Sequence, residues 1–322
     1  MGDVQRPLNW SGLGDGYPFV SIIVPVYNGA ATIVACIASL LAQDYPANRL
    51  EIIVVDNGSR DQTVELLQAS VQSERIKLLS ETDVLNAYGA RNTGAKEAIG
   101  EILAFTDADC FAQRDWLMRL LEDCDDQSIG VFIGDILAYD PKTPLEKYYP
   151  NEKLSWRGKD VAKVPGMRAG NCAIRRTCFE ELGGFNSRVN SGGDTEFAKR
   201  MLGTTSYTFK IAFDAIVFHK NYETLWLIFR RGLRFGTNMR NLRNDSILKR
   251  QYVSWTAHVR AIVVNLISLL TRLLAYPFVS IGAKYRGRII ADPVMFVVDP
   301  TVRSVELVGA FLGRTFRLRQ FR

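Results

Sequence analysis

The amino-acid sequence predicts an α/β protein, a mostly parallel β-sheet flanked by helices, followed by a basic helical region suited to a membrane surface. Three observations carry that expectation. Strand-like and helix-like segments alternate four times before residue 124. The strand-like segments are continuous apolar runs, as in sheets covered on both faces. Charge is divided along the chain: residues 1–219 hold 22 Lys and Arg against 29 Asp and Glu, whereas residues 220–322 hold 18 against 5.

The first strand is expected over residues 19–26 (FVSIIVPV), a β-branched run ending at the turn Tyr27-Asn28-Gly29. Residues 30–41 follow as an Ala- and Leu-rich helix. The same unit recurs as strand 51–55 and helix 61–71, strand 75–79 and helix 87–99, then strand 101–106 and helix 115–123. Consecutive strand and helix units imply parallel pairing, and such sheets take ligands outside the carboxyl ends of their strands.

Composition narrows the class further. With 322 residues, 47% hydrophobic and 23% charged, the chain has the balance of a folded protein, not of a disordered or polytopic membrane one. Five cysteines without any CxxC spacing suit neither a zinc ribbon nor a disulfide framework, and fit a reducing cytoplasm. Residues 1–16 lack the apolar core of a signal peptide, so a cytoplasmic start is expected.

The predicted strand ends carry carboxylates: Asp56 after the second strand, and Asp107-Ala108-Asp109 after the fourth. Asp56, in Asp-Asn-Gly-Ser before a helix, suits a turn as well as a ligand contact. The Asp-x-Asp pair is more telling. Two neighbouring carboxylates repel unless something cationic lies between them, and hard divalent ions bound to phosphates use one or two protein carboxylates.

Five segments together resemble the family 2 inverting glycosyltransferases of the GT-A fold, a Rossmann-like sheet architecture. They are Val20 to Asn28, Val54 to Asp61, Ala90-Arg91-Asn92-Thr93-Gly94, Phe105 to Cys110, and Gly193-Asp194-Thr195-Glu196-Phe197. The resemblance covers about two thirds of the chain and implies a catalytic domain over 18–220, after an N-terminal extension over 1–17 and before a membrane-associated region over 221–322. It implies that Pro25, Tyr27 and Asn28 line a nucleotide pocket and that Asp56 accepts the N–H of uracil or another base. It further implies that Asp107 approaches the ribose or the metal, and that Asp109 coordinates Mn²⁺ or Mg²⁺ on the diphosphate of a nucleotide-sugar donor. Arg91 is open between reaching a phosphate oxygen and lying solvated on its helix. His219 is open between a third metal ligand and a structural hydrogen bond.

An inverting transfer needs one base for the acceptor hydroxyl, and Asp194 is the matching position. The family pattern has Glu-Asp there, while this chain has Gly193-Asp194, so the first carboxylate is missing. Glu196 cannot share the site with Asp194, because residues two apart on a helix point roughly 200° apart. It is expected on the helix surface or in a secondary role. Asn171 and Arg175 fall in a segment that the resemblance sets beside the acceptor; a capped strand end is the other reading.

Residues 222–241 place Leu225, Trp226, Phe229 and Leu233 on one helical face with Arg230, Arg231 and Arg234 nearby, a basic amphipathic pattern. Residues 261–282 are long enough to span a bilayer, but Arg272 and Pro277 interrupt them, and Asn265, Ser268 and Arg272 form a polar stripe. Monotopic attachment to an anionic, cytoplasmic membrane face is therefore expected, with Arg260, Lys284, Arg286 and Arg288 on the headgroups. Residues 251–255 (QYVSW) resemble the Gln-x-x-Arg-Trp motif of processive polysaccharide synthases but carry Ser254 at the Arg position, which points to single additions. The expected acceptor is lipid-linked or a glycan. Nucleic acid is not an expected partner, since RNA binding has no use for the long apolar stretch. The competing readings are a sugar-nucleotide pyrophosphorylase, which needs a Gly- and Arg-rich first loop, and a non-enzymatic membrane-binding module.

Overall fold

The computed structural model describes residues 16–70, 75–143, 145–146, 167–220 and 224–241, with isolated positions among 259–308. Two compact units divide the chain: Met1–Tyr139, Leu154–Arg188 and Gly193–Lys220 form the first, and Asp140–Lys153, Val189–Gly192 and Asn221–Arg322 the second.

The first unit opens with β1 (Val20–Val26), α1 (Ile33–Leu41), β2 (Leu50–Asp56), α2 (Thr63–Ser70), β3 (Ile76–Ser80), α3 (Ala87–Glu97) and β4 (Ile102–Thr106). These are the predicted units within a few residues. Then come β5 (Cys110–Ala112), α4 (Trp116–Leu120), β6 (Ile129–Ala138), β7 (Asn171–Arg175), α5 (Arg176–Glu181), α6 (Gly193–Thr204) and β8 (Thr208–His219). All eight strands join one sheet in the order β3-β2-β1-β4-β7-β6-β8-β5. Its first half is parallel, whereas β7 runs antiparallel to β4 and β6, and β5 antiparallel to β8. The sheet is thus mixed: β6 and β8 pair in parallel, and the antiparallel pairings are those of β7 and β5.

Every residue of β1 and β4 is buried, as the unbroken apolar runs require of strands covered on both faces. On one face α1 inserts Ile33, Cys36, Ile37 and Leu40, spaced as one helical stripe. The other face holds an aromatic cluster: Phe105 of β4 meets Phe179 of α5 and Phe185, with ring centroids 5.7 and 5.2 Å away. Phe197 of α6 packs on both of those rings. Helix α6 is thereby anchored beneath the strand ends.

Helix α3 starts at Asn86, whose side chain accepts the Tyr88 and Gly89 N–H groups, a cap worth about 1 kcal/mol. It also lies unusually close to the sheet. A Cβ added at Gly94 would stand 2.6 Å from Ile23 Cγ2 and 3.1 Å from Val55 Cγ2. Both neighbours are β-branched and buried, so they yield poorly. Gly94→Ala is expected to lower stability by about 1 kcal/mol, overpacking of ~2 kcal/mol exceeding the helix-propensity gain of ~1 kcal/mol, as urea unfolding would measure.

The second unit contains α7 (Leu225–Asn241). Ile228 and Leu233 are buried there, whereas Leu225 and Trp226 are exposed. Among the described residues, no helix is long and apolar enough to cross a membrane. Ser268, Arg272, Pro277, Lys284, Arg286, Arg288 and the Gln251–Trp255 segment lie outside the described residues.

Candidate active site

The rim forms where β2, β1 and β4 end side by side. Asp56 closes β2 beside Val26, Tyr27 follows β1, and Asp107 follows Thr106 of β4. Pro25 is buried within β1, and Tyr27 is 38% exposed at its mouth. Asn28 has a left-handed backbone (φ 51°), which its short polar side chain tolerates. Its Oδ1 accepts the Arg60 N–H at 2.8 Å and its own N–H donates to Ser59 Oγ at 2.9 Å. Asn28 therefore clamps the loop after β1 to the loop after β2.

Asp56 is buried and its carboxylate accepts the backbone N–H groups of Gly58 and Ser59 at 3.1 and 3.3 Å. This is the turn chemistry its sequence context allows, and a carboxylate with about four acceptor positions keeps capacity for a further donor.

Arg91 is not solvated on its helix. It is 4% exposed, donates to Asp107 Oδ1, and lies over the Tyr88 ring, 5.5 Å from its centroid. Gly170 lets the backbone approach the same carboxylate, since a Cβ there would stand 2.8 Å from Asp107 Oδ2. Asp107 thus meets a guanidinium on one oxygen and bare backbone near the other.

Asp109 occupies the β4–β5 turn, and β8 brings His219 against it by pairing His219 with Cys110. His219 Nε2 stands 3.5 Å from Asp109 Oδ2. Its other ring nitrogen, Nδ1, is buried and has no hydrogen-bond partner among the described residues. Desolvation raises the Asp109 carboxyl above its ordinary value; His219 opposes this and Asp107 adds to it. The side chain is nonetheless 47% exposed, so the carboxylate faces the cleft.

Asp109, Cys110 and His219 offer donor atoms within 4.8 Å of one another. Burial lifts the Cys110 thiol well above its ordinary range, and the carboxylate and imidazole are the harder donors of the three. The Asp109 carboxylate and the His219 Nε2 that faces it are ordinary ligands of a divalent ion. A cation would also relieve the crowding of the two carboxylates.

Asp194, in the first turn of α6, is the second focus. Its Oδ1 accepts the Thr195 N–H at 2.8 Å and the Tyr88 hydroxyl at 3.3 Å, and its Oδ2 accepts the Ala169 N–H at 3.4 Å. Desolvation raises its carboxyl above the ordinary value, against the hydrogen bonds and the Arg91 charge that lower it. Gly193 is buried beside it.

Three predicted site residues serve the scaffold instead. Asn171 is fully buried: its amide donates to Asp135 O at 2.7 Å and Ala215 O at 2.9 Å, and accepts Trp116 Nε1 at 2.7 Å. All its polar capacity goes into joining β7, β6, β8 and α4, so it presents nothing to an acceptor. Arg175 pairs with Ile102, at the start of β4, about 13 Å of strand away from the rim. It donates to the carbonyls of Cys124, Asp126 and Ile129. Glu196 lies neither on the helix surface nor near the rim. It is 3% exposed and bonded to Arg200, at 2.8 and 2.9 Å, which also holds the carbonyls of Leu182 and Gly184.

The structure adds two groups that sequence reasoning missed. Tyr88 is one. Arg168 is the other, a buried guanidinium whose pKa burial pushes down to about 10 while the nearby Asp135 and Asp194 charges support it. Neither lies in a motif, and Tyr88 and Asp194 are 106 residues apart. The Asn86 cap was the one local signal that α3 begins beside the rim.

Fold and rim together define the GT-A class of α/β proteins. The model of the family described as glycosyl transferase family 2 matches residues 21–183, half of the chain, and the protein belongs to that family. Glycosyltransferase AglE of Haloferax volcanii is 33% identical over 205 residues, 63% of this chain and 67% of that protein. WfgD of Escherichia coli, a UDP-Glc:α-D-GlcNAc-diphosphoundecaprenol β-1,3-glucosyltransferase, is 44% identical over 104 residues, 32% of this chain and 38% of that one. Other curated glycosyltransferases are matched over about half of their length, 53% and 54%. Among solved structures, the mannosyltransferase PcManGT of Pyrobaculum calidifontis, in complex with GDP-Man and Mn²⁺, superposes with a TM-score of 0.62 at 23% identity, covering 92% of this chain and 87% of its own. That likeness establishes the shared fold.

The pH dependence of stability should report Asp194. A carboxyl raised on folding binds its proton more tightly in the native state, so its contribution is fully present below the unfolded pKa and is lost as pH rises through the folded one. Against Asp194→Asn, the wild type should therefore lose relative stability as pH rises from about 4 to 7 in urea titrations.

Proposed function

We propose that the protein is a metal-dependent, inverting glycosyltransferase that moves a sugar from a nucleotide-sugar, with UDP the expected carrier, to a hydroxyl of a lipid-linked or glycan acceptor, one sugar per encounter. The observation that carries this reading is the pairing of the Asp107–Asp109 rim with a desolvated carboxylate, Asp194, held from the same helix, α3, that grips Asp107.

Asp56 accepts the base N–H, and Asp107, oriented by Arg91, approaches the ribose. Asp109 and His219, with Asp107 beside them, would hold a divalent cation, which supplies charge neutralisation to the departing diphosphate. Asp194 takes the proton of the acceptor hydroxyl, for which a raised pKa makes it a better base near neutral pH. The acceptor oxygen bonds to the anomeric carbon as the bond to the phosphate oxygen breaks, and the electron pair leaves with the nucleoside diphosphate. A single displacement inverts the anomeric centre. The Mn²⁺ and GDP-Man in the PcManGT complex and the diphosphoundecaprenol acceptor in the name of WfgD support metal use and a lipid-linked acceptor.

The test is thermal shift and nucleoside diphosphate release across UDP-, GDP- and TDP-sugars, with Mn²⁺, Mg²⁺ or EDTA. One donor should stabilise the wild type only with metal, and Asp109→Asn should lose that shift. Indifference of every donor to metal and to Asp109→Asn would overturn the reading.

We further propose that the second unit rests on the anionic, cytoplasmic face of a membrane. Residues 220–322 carry 18 Lys and Arg against 5 Asp and Glu, and Trp226 (60%), Val264 (55%), Ile267 (55%) and Leu270 (61%) are exposed. Basic charge combined with exposed aromatic and aliphatic side chains matches an anionic lipid interface. The protein should sediment with phosphatidylglycerol vesicles and not with phosphatidylcholine ones, and Trp226→Glu should weaken retention several-fold. Equal retention on both lipids would count against it.

A further inference from the structure

Beside Arg91, which orients Asp107, stands Tyr88, a group that neither the matched segments nor the proposed chemistry uses. Tyr88 and Arg91 stand three residues apart on α3, hence on one face of the helix. The Arg91 guanidinium covers the Tyr88 ring and binds Asp107, while the Tyr88 hydroxyl donates to Asp194 Oδ1. The ring is itself held, 6% exposed and 5.6 Å from Phe185 in the aromatic cluster that anchors α6 through Phe197.

We propose that Tyr88 is a positioning residue for sugar transfer: its hydroxyl sets the orientation of Asp194, and its ring carries Arg91, so that one turn of α3 fixes the spacing between the donor-side carboxylate Asp107 and the acceptor-side base. This rests on the reading of Asp194 as the base. It also accounts for Gly193. With the family's preceding carboxylate missing, Asp194 is steered from across the cleft by α3, and Oδ1 is shared between Tyr88 and the Thr195 N–H. Arg91 from α3 and Arg168 from the turn before β7 are the charges that bear on Asp194, and Ala169 N–H takes its other oxygen. The Thr195 and Ala169 N–H groups still hold the carboxylate when the hydroxyl is removed, so its loss should change orientation and acidity without unfolding the site.

Tyr88→Phe keeps the ring and deletes only the hydroxyl. The assay is UDP release from UDP-glucose by the full-length protein with Mn²⁺, water serving as the acceptor, and with GDP-mannose as the second donor. Tyr88→Phe should lower kcat about tenfold with KM for the donor unchanged within twofold. It should also move the acidic limb of the pH–rate profile to higher pH, because a hydrogen bond to the ionised carboxylate holds its pKa down. In an Asp194→Asn background the same substitution should have no further effect on kcat. A Tyr88→Phe variant that equals the wild type in rate and pH profile, or one whose full loss persists in the Asp194→Asn background, overturns the proposal. Retained activity in Asp194→Asn itself would instead show that the base has been misassigned.

Discussion

A guanidinium buried under the strand ends is what permits the carboxylate rim to exist. Asp107 and Asp109 are two residues apart in a partly desolvated cleft, and without a cation their charges would repel. Arg91 supplies part of that compensation permanently, at 4% exposure, from within the protein. Its own burial is tolerable because it has the Asp107 carboxylate and the face of Tyr88 as partners. Everything else near the rim is arranged so that α3 can deliver it there. Gly94 allows the helix to lie against β1 and β2, Asn86 starts it at the right residue, and Glu81 holds the preceding loop by accepting the N–H groups of Asp83 and Val84.

The mixed half of the sheet, β7-β6-β8-β5, has a different task. It carries β8 and α6 back to the first half, so that His219 and Asp194 reach a rim formed by residues more than 80 positions earlier. The joint is Asn171, whose one amide ties β7 to β6, β8 and Trp116 in a space where Gly134 leaves no Cβ. A buried amide with every group satisfied makes such a joint specific, because any slip in register would leave three polar atoms without partners.

The two halves of the chain also differ in charge and in exposed apolar surface. The first unit gathers carboxylates where a cation and phosphates would sit, and its net charge is negative through residue 219. The second carries the positive excess together with exposed Trp226, Ile267 and Leu270.

The sequence by itself determined the four strand–helix units, the parallel half of the sheet and the strand-end positions of Asp56, Asp107 and Asp109. Apolar periodicity and turn chemistry are local, and four consecutive crossovers leave little choice of topology. It also separated Asp194 from Glu196, since helical geometry alone forbids both from facing one site. Only the tertiary structure decided which polar residues do what. The resemblance set Asn171 and Arg175 beside the acceptor and left Glu196 a surface or secondary role, yet their hydrogen bonds go to carbonyls and to Arg200 within the scaffold. Arg91, open between solvent and a ligand, turned out to bind Asp107, and Tyr88 and Arg168 gave no signal at all. These roles depend on contacts between segments tens to more than a hundred residues apart, and a side chain's partners across such distances are set by packing, which no local pattern encodes.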